Sequence, residues 1–280
     1  MSEKQGIEAE LEWLVEGGEA ARPLRRWRPR GTPWAALLVI HGYAEHSGRY
    51  DRFARQLAAA GVAVAAPDLG GHGHAGGARA RVSAIADLVA DARAALARIR
   101  SEPGGERLFV FGHSMGGLVA TALALEEQDL AGLVLSGAAL ADPAGLEALL
   151  AVEPFPEFRI EASQLARDPR VGEEYDRDPL NYRGPMPRET AAALAEGARA
   201  VRSAWSALEL PLLVLHGGGD EIVPPSGSEE LFRAARAPDK ELVVLPELGH
   251  EILNEPEGEA IGERIASWLR ERVEGRNAVC

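Results

Sequence analysis

The chain has a single cysteine, Cys280, its last residue. One thiol excludes an internal disulfide and any cysteine-built metal cage. Basic residues are in deficit, 30 Lys and Arg against 43 Asp and Glu, for a net charge of -13. Such a surface repels phosphate backbones and anionic lipid headgroups over most of its extent, which argues against a nucleic-acid partner. No apolar run approaches the ~20 residues of a membrane span. The first twenty residues, MSEKQGIEAELEWLVEGGEA, are acidic and lack the continuous apolar core of a signal peptide. A soluble, cytoplasmic protein is expected. Histidines at metal-ligand spacing are also missing: there is no H-x-x-x-H pair and no carboxylate cluster, so neither metal nor cofactor is expected.

What is present is alternation. Short apolar runs AALLVIH (35–41), VAVAAP (62–67), LFVF (108–111), GLVLSG (132–137), PLLVLHG (211–217) and ELVVLP (241–246) are separated by helix-length segments at 49–60, 83–100, 115–127, 227–235 and 257–273. Runs apolar at nearly every position suit parallel strands buried on both faces. Strand and helix in alternation give an α/β domain with a mostly parallel sheet and right-handed crossovers. LEWLV (11–15) and PLRRWRP (23–29), joined at Gly17-Gly18, read as two further strands forming an antiparallel edge. Between Gly137 and Leu210 the alternation stops for about 70 residues, far more than a crossover needs. We therefore read residues 1–140 and 209–280 as two parts of one core and 141–208 as a mostly helical cap inserted between them, with RETAAALAEGARAVRSAW (188–205) as a helix.

Ser114 falls between glycines in LFVFGHSMGG, where a strand run meets a helical one. A strained strand-to-helix turn can hold a hydroxyl above a sheet, and Gly112 and Gly116 permit the close backbone approach such a turn demands. The plainer alternative is a helix N-cap. A serine becomes a nucleophile only beside a base, and His216 and His250 are the histidines that follow it. His250, in the loop ELGHEILNEP after the last strand run, can reach down to Ser114, whereas His216 ends its own strand and reads as a supporting residue. For the carboxylate that orients the histidine we choose Asp220 in HGGGDEIVPP, with Glu221 and Asp142 as rivals. An oxyanion needs two backbone N–H donors already in place, and Met115 and Tyr43 stand where these would come from. All seven histidines fall at or just after the C-terminal ends of strand runs, the edge at which open α/β sheets carry their sites.

Taken together, HGYAEHSGRYDRFARQLAAAG (41–61), PDLGGHGHAGG (67–77), GHSMGG (112–117), LVLSGAAL (133–140), DPLNYRG (178–184), LHGGGDEIVPPSGSEEL (215–231) and HEILNEPE (250–257) resemble the monoacylglycerol lipase and lysophospholipase branch of the α/β-hydrolases. The likeness spans nearly the whole chain. It departs at Ala75, where the family commonly has serine, and at Gly70, where it has a larger residue. The resemblance implies the α/β-hydrolase fold: a mostly parallel eight-stranded sheet, helices on both faces, and a cap forming an acyl-binding tunnel. It also implies Ser114 as nucleophile with Asp220 and His250, the Tyr43 and Met115 backbones as oxyanion hole, and a monoacylglycerol or lysolipid ester as substrate. Transient contact of the cap with a lipid surface would suit such a substrate. The same triad serves amidases, aminopeptidases and acyltransferases, and a non-catalytic binding module on this scaffold is the reading of another class.

Overall fold

The computed structural model describes residues 7, 9–15, 17–127, 129–141 and 143–277. Cys280 and Asp142 lie outside the described residues. Eight strands form one sheet: β1 (Ala9–Val15), β2 (Arg22–Trp27), β3 (Ala35–Ile40), β4 (Val62–Pro67), β5 (Leu108–His113), β6 (Gly132–Ser136), β7 (Leu212–Gly217) and β8 (Lys240–Leu245). Their order is β1-β2-β4-β3-β5-β6-β7-β8. β1 and β2 run antiparallel at one edge, and the other six are parallel. This is the expected α/β-hydrolase architecture.

The continuous apolarity of the strand runs has a simple cause. On β3, Ala36, Leu38 and Ile40 join one core while Ala35, Leu37 and Val39 join the other. Side chains alternate faces along a strand, and here both faces are covered. The first core packs against α2 (Ile85–Arg100), α3 (Met115–Glu126), α6 (Arg188–Ala204) and α7 (Ser226–Ala234). The second packs against α1 (Asp51–Ala59) and α8 (Gly258–Asn277). α1 is amphipathic: Phe53, Ala54, Leu57 and Ala58 turn inward and its other positions are exposed or half-buried. α3 instead is apolar all round, because its first ten residues are wedged between sheet and neighbours with almost every side chain buried.

Between β6 and β7 the described chain contains α4 (Ala144–Leu150), α5 (Pro169–Arg177) and α6, with no strand. α5 falls in a part of 141–208 to which the sequence reading assigns no helix of its own, only a mostly helical character for the whole segment. Its start is encoded locally: the Asp168 side chain accepts from the Arg170 N–H at 3.0 Å and Pro169 occupies the first turn. Val171, Gly172 and Tyr175 form its buried stripe. Because the parallel strands point the same way, the loops after β3, β5, β6, β7 and β8 emerge along one edge of the sheet, and α5 lies over them.

Candidate active site

β5 ends at His113 and α3 begins at Met115, leaving Ser114 alone to turn the chain. Its backbone takes φ 53°, ψ -123°, a conformation an L-residue enters only at a cost of about 1–3 kcal/mol. The turn is held in place by Ser114 N–H donating to the Ser136 carbonyl (3.1 Å) and the Ser114 carbonyl accepting from Ala139 N–H (2.9 Å). At Gly116 a Cβ would run into the Ile40 and His41 carbonyls, so the helix can approach β3 this closely only without a side chain. Ser114 occupies the N-cap position, yet its side chain makes no capping hydrogen bond. The N-cap alternative therefore does not account for the hydroxyl.

Asp220 follows β7 and His250 follows β8. Thirty residues apart in sequence, they meet with His250 Nδ1 2.7 Å from Asp220 Oδ2. The other carboxylate oxygen accepts from the Ile222 and Val223 N–H groups at 2.9 and 2.8 Å. His216 also reaches Oδ2, with Nε2 at 3.2 Å, while its Nδ1 lies 2.7 Å from Ser228 Oγ. Burial alone would raise the Asp220 carboxyl, but hydrogen bonds from His216 and His250 outweigh it and hold the group well below the usual carboxylate range. Of the rival acids, Glu221 is exposed and Asp142 is not described.

The loop after β3 carries Tyr43. The peptide linking Gly42 to Tyr43 is oriented by His41, whose Nδ1 lies 2.8 Å from the Gly42 carbonyl. The Gly42 N–H donates to Glu45 Oε1 at 2.6 Å. Met115, as the first helical residue, has an N–H with no intrahelical acceptor. Ser114, His250 and Tyr43 line one cavity with Glu45, His113 and Glu251, and the inserted segment contributes Ile160, Leu165 and Tyr175 to it. Ser114 is only 7% exposed and His250 only 2%, so both are largely shielded from solvent.

Sequence reasoning missed the polar frame around this cavity. Glu45 and Glu251 are buried and Arg49 is half-buried, paired to Glu45 (3.1 Å) and bonded by both terminal nitrogens to Glu251. Burial opposes the Glu45 charge, but the Arg49 guanidinium reverses that and holds its carboxyl at about 2. His113 packs its ring 4.6 Å from that of His250 and bonds through Nδ1 to the Ser136 carbonyl at 2.9 Å. Burial, and then the neighbouring His250, push His113 down to about 4, so it stays neutral in ordinary buffers. Glu45 and Arg49 lie inside HGYAEHSGRY; the signal available was a Glu and an Arg four residues apart beside a predicted site loop. Among the described residues no group of three or more His, Cys, Asp or Glu is arranged to hold a metal ion, and no helix is long and apolar enough to cross a membrane.

Residues 31–257 match the Hydrolase_4 family, described as serine aminopeptidase, S33. The chain belongs to this family. The chain is similar to the monoacylglycerol lipase of Mycolicibacterium smegmatis, 33% identical over 253 residues, with 87% of this chain and 90% of that one aligned. The human monoglyceride lipase is 32% identical over 262 residues, covering 89% and 86%. Among solved structures, the monoacylglycerol lipase of Paleococcus ferrophilus superposes with a TM-score of 0.77 at 28% identity, over 94% of this chain and 99% of that one. This Hydrolase_4 chain is a carboxylic-ester hydrolase.

Proposed function

We propose that the chain hydrolyses acyl esters of the monoacylglycerol or lysophospholipid type through an acyl-enzyme on Ser114. The observation that carries this reading is the 2.7 Å contact between His250 Nδ1 and Asp220 Oδ2, set in the cavity that Ser114 lines. Asp220 holds the His250 ring with Nδ1–H toward the carboxylate, which leaves Nε2 free to take the Ser114 proton. The Ser114 oxygen then attacks the ester carbonyl. The developing oxyanion is met by the Tyr43 and Met115 N–H groups. His250 returns the proton to the departing alcohol, the acyl group remains on Ser114, and a water deprotonated by His250 releases the fatty acid.

The substrate class rests on the relatives named as monoacylglycerol and monoglyceride lipases and on the apolar residues Ile160 and Leu165 over Ser114. Residues 141–208 act as the cap, and the exposed Val152 and Phe158 are where it would touch a lipid surface. The protein works in the cytoplasm on this reading, without a cofactor.

The test is a matched panel of p-nitrophenyl esters from acetate to palmitate, 1-monooleoylglycerol, a lysophospholipid and an aminoacyl anilide, each run with wild type and Ser114→Ala. Turnover of the long-chain glycerol ester that vanishes in Ser114→Ala supports the reading. Cleavage of the anilide alone would move the protein to the peptidases.

A further inference from the structure

Ala44, the residue after Tyr43, has φ 65°, although it is not glycine. It is the third residue of the turn from Gly42 to Glu45, a position where positive φ ordinarily selects Gly or Asn. Something must hold an alanine there against its own preference.

The holding groups come from the inserted segment, more than 130 positions away in sequence. The Ala44 carbonyl accepts from the Tyr182 N–H at 2.9 Å and from the Tyr175 hydroxyl at 2.9 Å. That hydroxyl also faces the Tyr182 carbonyl at 2.9 Å, so its single hydrogen is shared between the two. The Tyr175 ring lies against the Arg49 guanidinium, 5.0 Å from ring centroid to guanidinium carbon, and Arg49 joins Glu45 of the same turn to Glu251 beside His250. Tyr175 is buried on α5. The turn is thus tied at two points: Gly42 by Glu45, and Ala44 by Tyr175 of α5 and by Tyr182.

We propose that Tyr175 is a positioning residue for the oxyanion hole, holding Ala44 in its left-handed conformation so that the Tyr43 N–H stays aimed at the cavity. The inserted segment then does more than cover the substrate: the hole is fully formed only when α5 is seated. The inference rests on the proposed role of the Tyr43 backbone in hydrolysis at Ser114.

The experiment compares wild type, Tyr175→Phe, Tyr175→Phe with Ala44→Gly, and Ser114→Ala on one p-nitrophenyl ester, with melting temperatures as a check on folding. Tyr175→Phe keeps the ring against Arg49 and removes one oxygen. We expect kcat to fall about tenfold with KM changed by less than about threefold, because the donor matters chiefly in the transition state. A boronic acid that forms a tetrahedral adduct on serine should lose affinity by a similar factor. Glycine adopts positive φ without strain, so Ala44→Gly should restore most of kcat to the Tyr175→Phe protein.

Unchanged kcat in Tyr175→Phe, a rise in KM alone, or a loss that Ala44→Gly does not repair each overturns the inference. These outcomes are distinct from failure of the functional reading. Wild-type turnover that survives Ser114→Ala removes that reading and the inference with it. Turnover lost in Ser114→Ala but untouched by Tyr175→Phe removes the inference alone.

Discussion

His250 Nδ1 stands 2.7 Å from Asp220 Oδ2, and the same oxygen is approached by His216 Nε2 at 3.2 Å. The carboxylate therefore serves two imidazoles. One belongs to the loop after β8; the other ends β7 and is anchored by Ser228. His216 helps keep the carboxylate ionised and in place.

Asp220→Asn should lower kcat by roughly a thousandfold or more, since an amide cannot fix the His250 tautomer or stabilise the imidazolium. The loss should be smaller than that from His250→Ala, which removes the base itself. Glu221→Gln, at an exposed neighbour, should leave kcat near wild type. Steady-state kinetics of the three variants check this, and a silent Asp220→Asn would move the acid to another residue.

Gly137→Ala should damage catalysis more than stability. Gly137 has φ 52°, and a Cβ there would lie 3.3 Å from His250 Nδ1, 3.0 Å from the His250 carbonyl and 3.5 Å from Asp220 Oδ2. The strain of positive φ costs about 1–2 kcal/mol, which the fold can absorb. A displaced His250 costs about a hundredfold in rate if it moves by about an ångström. Paired measurements of kcat and melting temperature separate the two effects.

Acid should destabilise the protein before its carboxylates titrate. Burial lowers His113 to about 4 and His72 to about 3 from an ordinary 6.5. The folded state thus keeps both neutral while the unfolded chain takes up protons near 6.5. Their contribution is fully present above that pH and is lost as pH falls from 6.5 toward 4 for His113 and toward 3 for His72. Together the two remove up to roughly 3 kcal/mol per pH unit in that window. Glu45, depressed to about 2, contributes above its ordinary value of 4.5 and fades only as pH drops from there toward 2. Urea midpoints at pH 7, 6 and 5 should therefore decline, and His72→Asn should shallow the decline. A flat wild-type profile would contradict the assignment of buried neutral histidines.

The sheet was legible in the sequence because burial on both faces leaves short, nearly continuous apolar runs of strand length. AALLVIH, VAVAAP and PLLVLHG foretold β3, β4 and β7 within a residue at each end. The LFVF run stopped two residues short of the end of β5, because Gly112 and His113 look like a loop when read locally. Helix α5 went unread, although Asp168-Pro169 is a start signal, because DPRVGEEYDRD is mostly charged and its inward stripe is only Val171, Gly172 and Tyr175.

The pairing of Asp220 with His250 could be anticipated from the order of loops along one sheet edge. The Ala44 clamp and the Arg49–Glu251 pair could not. They join residues more than 130 and 200 positions apart, and nothing local in either segment specifies the other. Positive φ at Ala44 is likewise invisible, since alanine carries none of the signal glycine would have given.

The central claim is that the acyl group passes through Ser114. The direct measurement is intact-mass and peptide-mapping spectrometry of enzyme acid-quenched within the first turnovers of a p-nitrophenyl long-chain ester, for wild type and Ser114→Ala. The account predicts one acyl adduct per chain, on the peptide containing Ser114, absent from Ser114→Ala along with turnover. An adduct on another residue, or full turnover by Ser114→Ala, would contradict it.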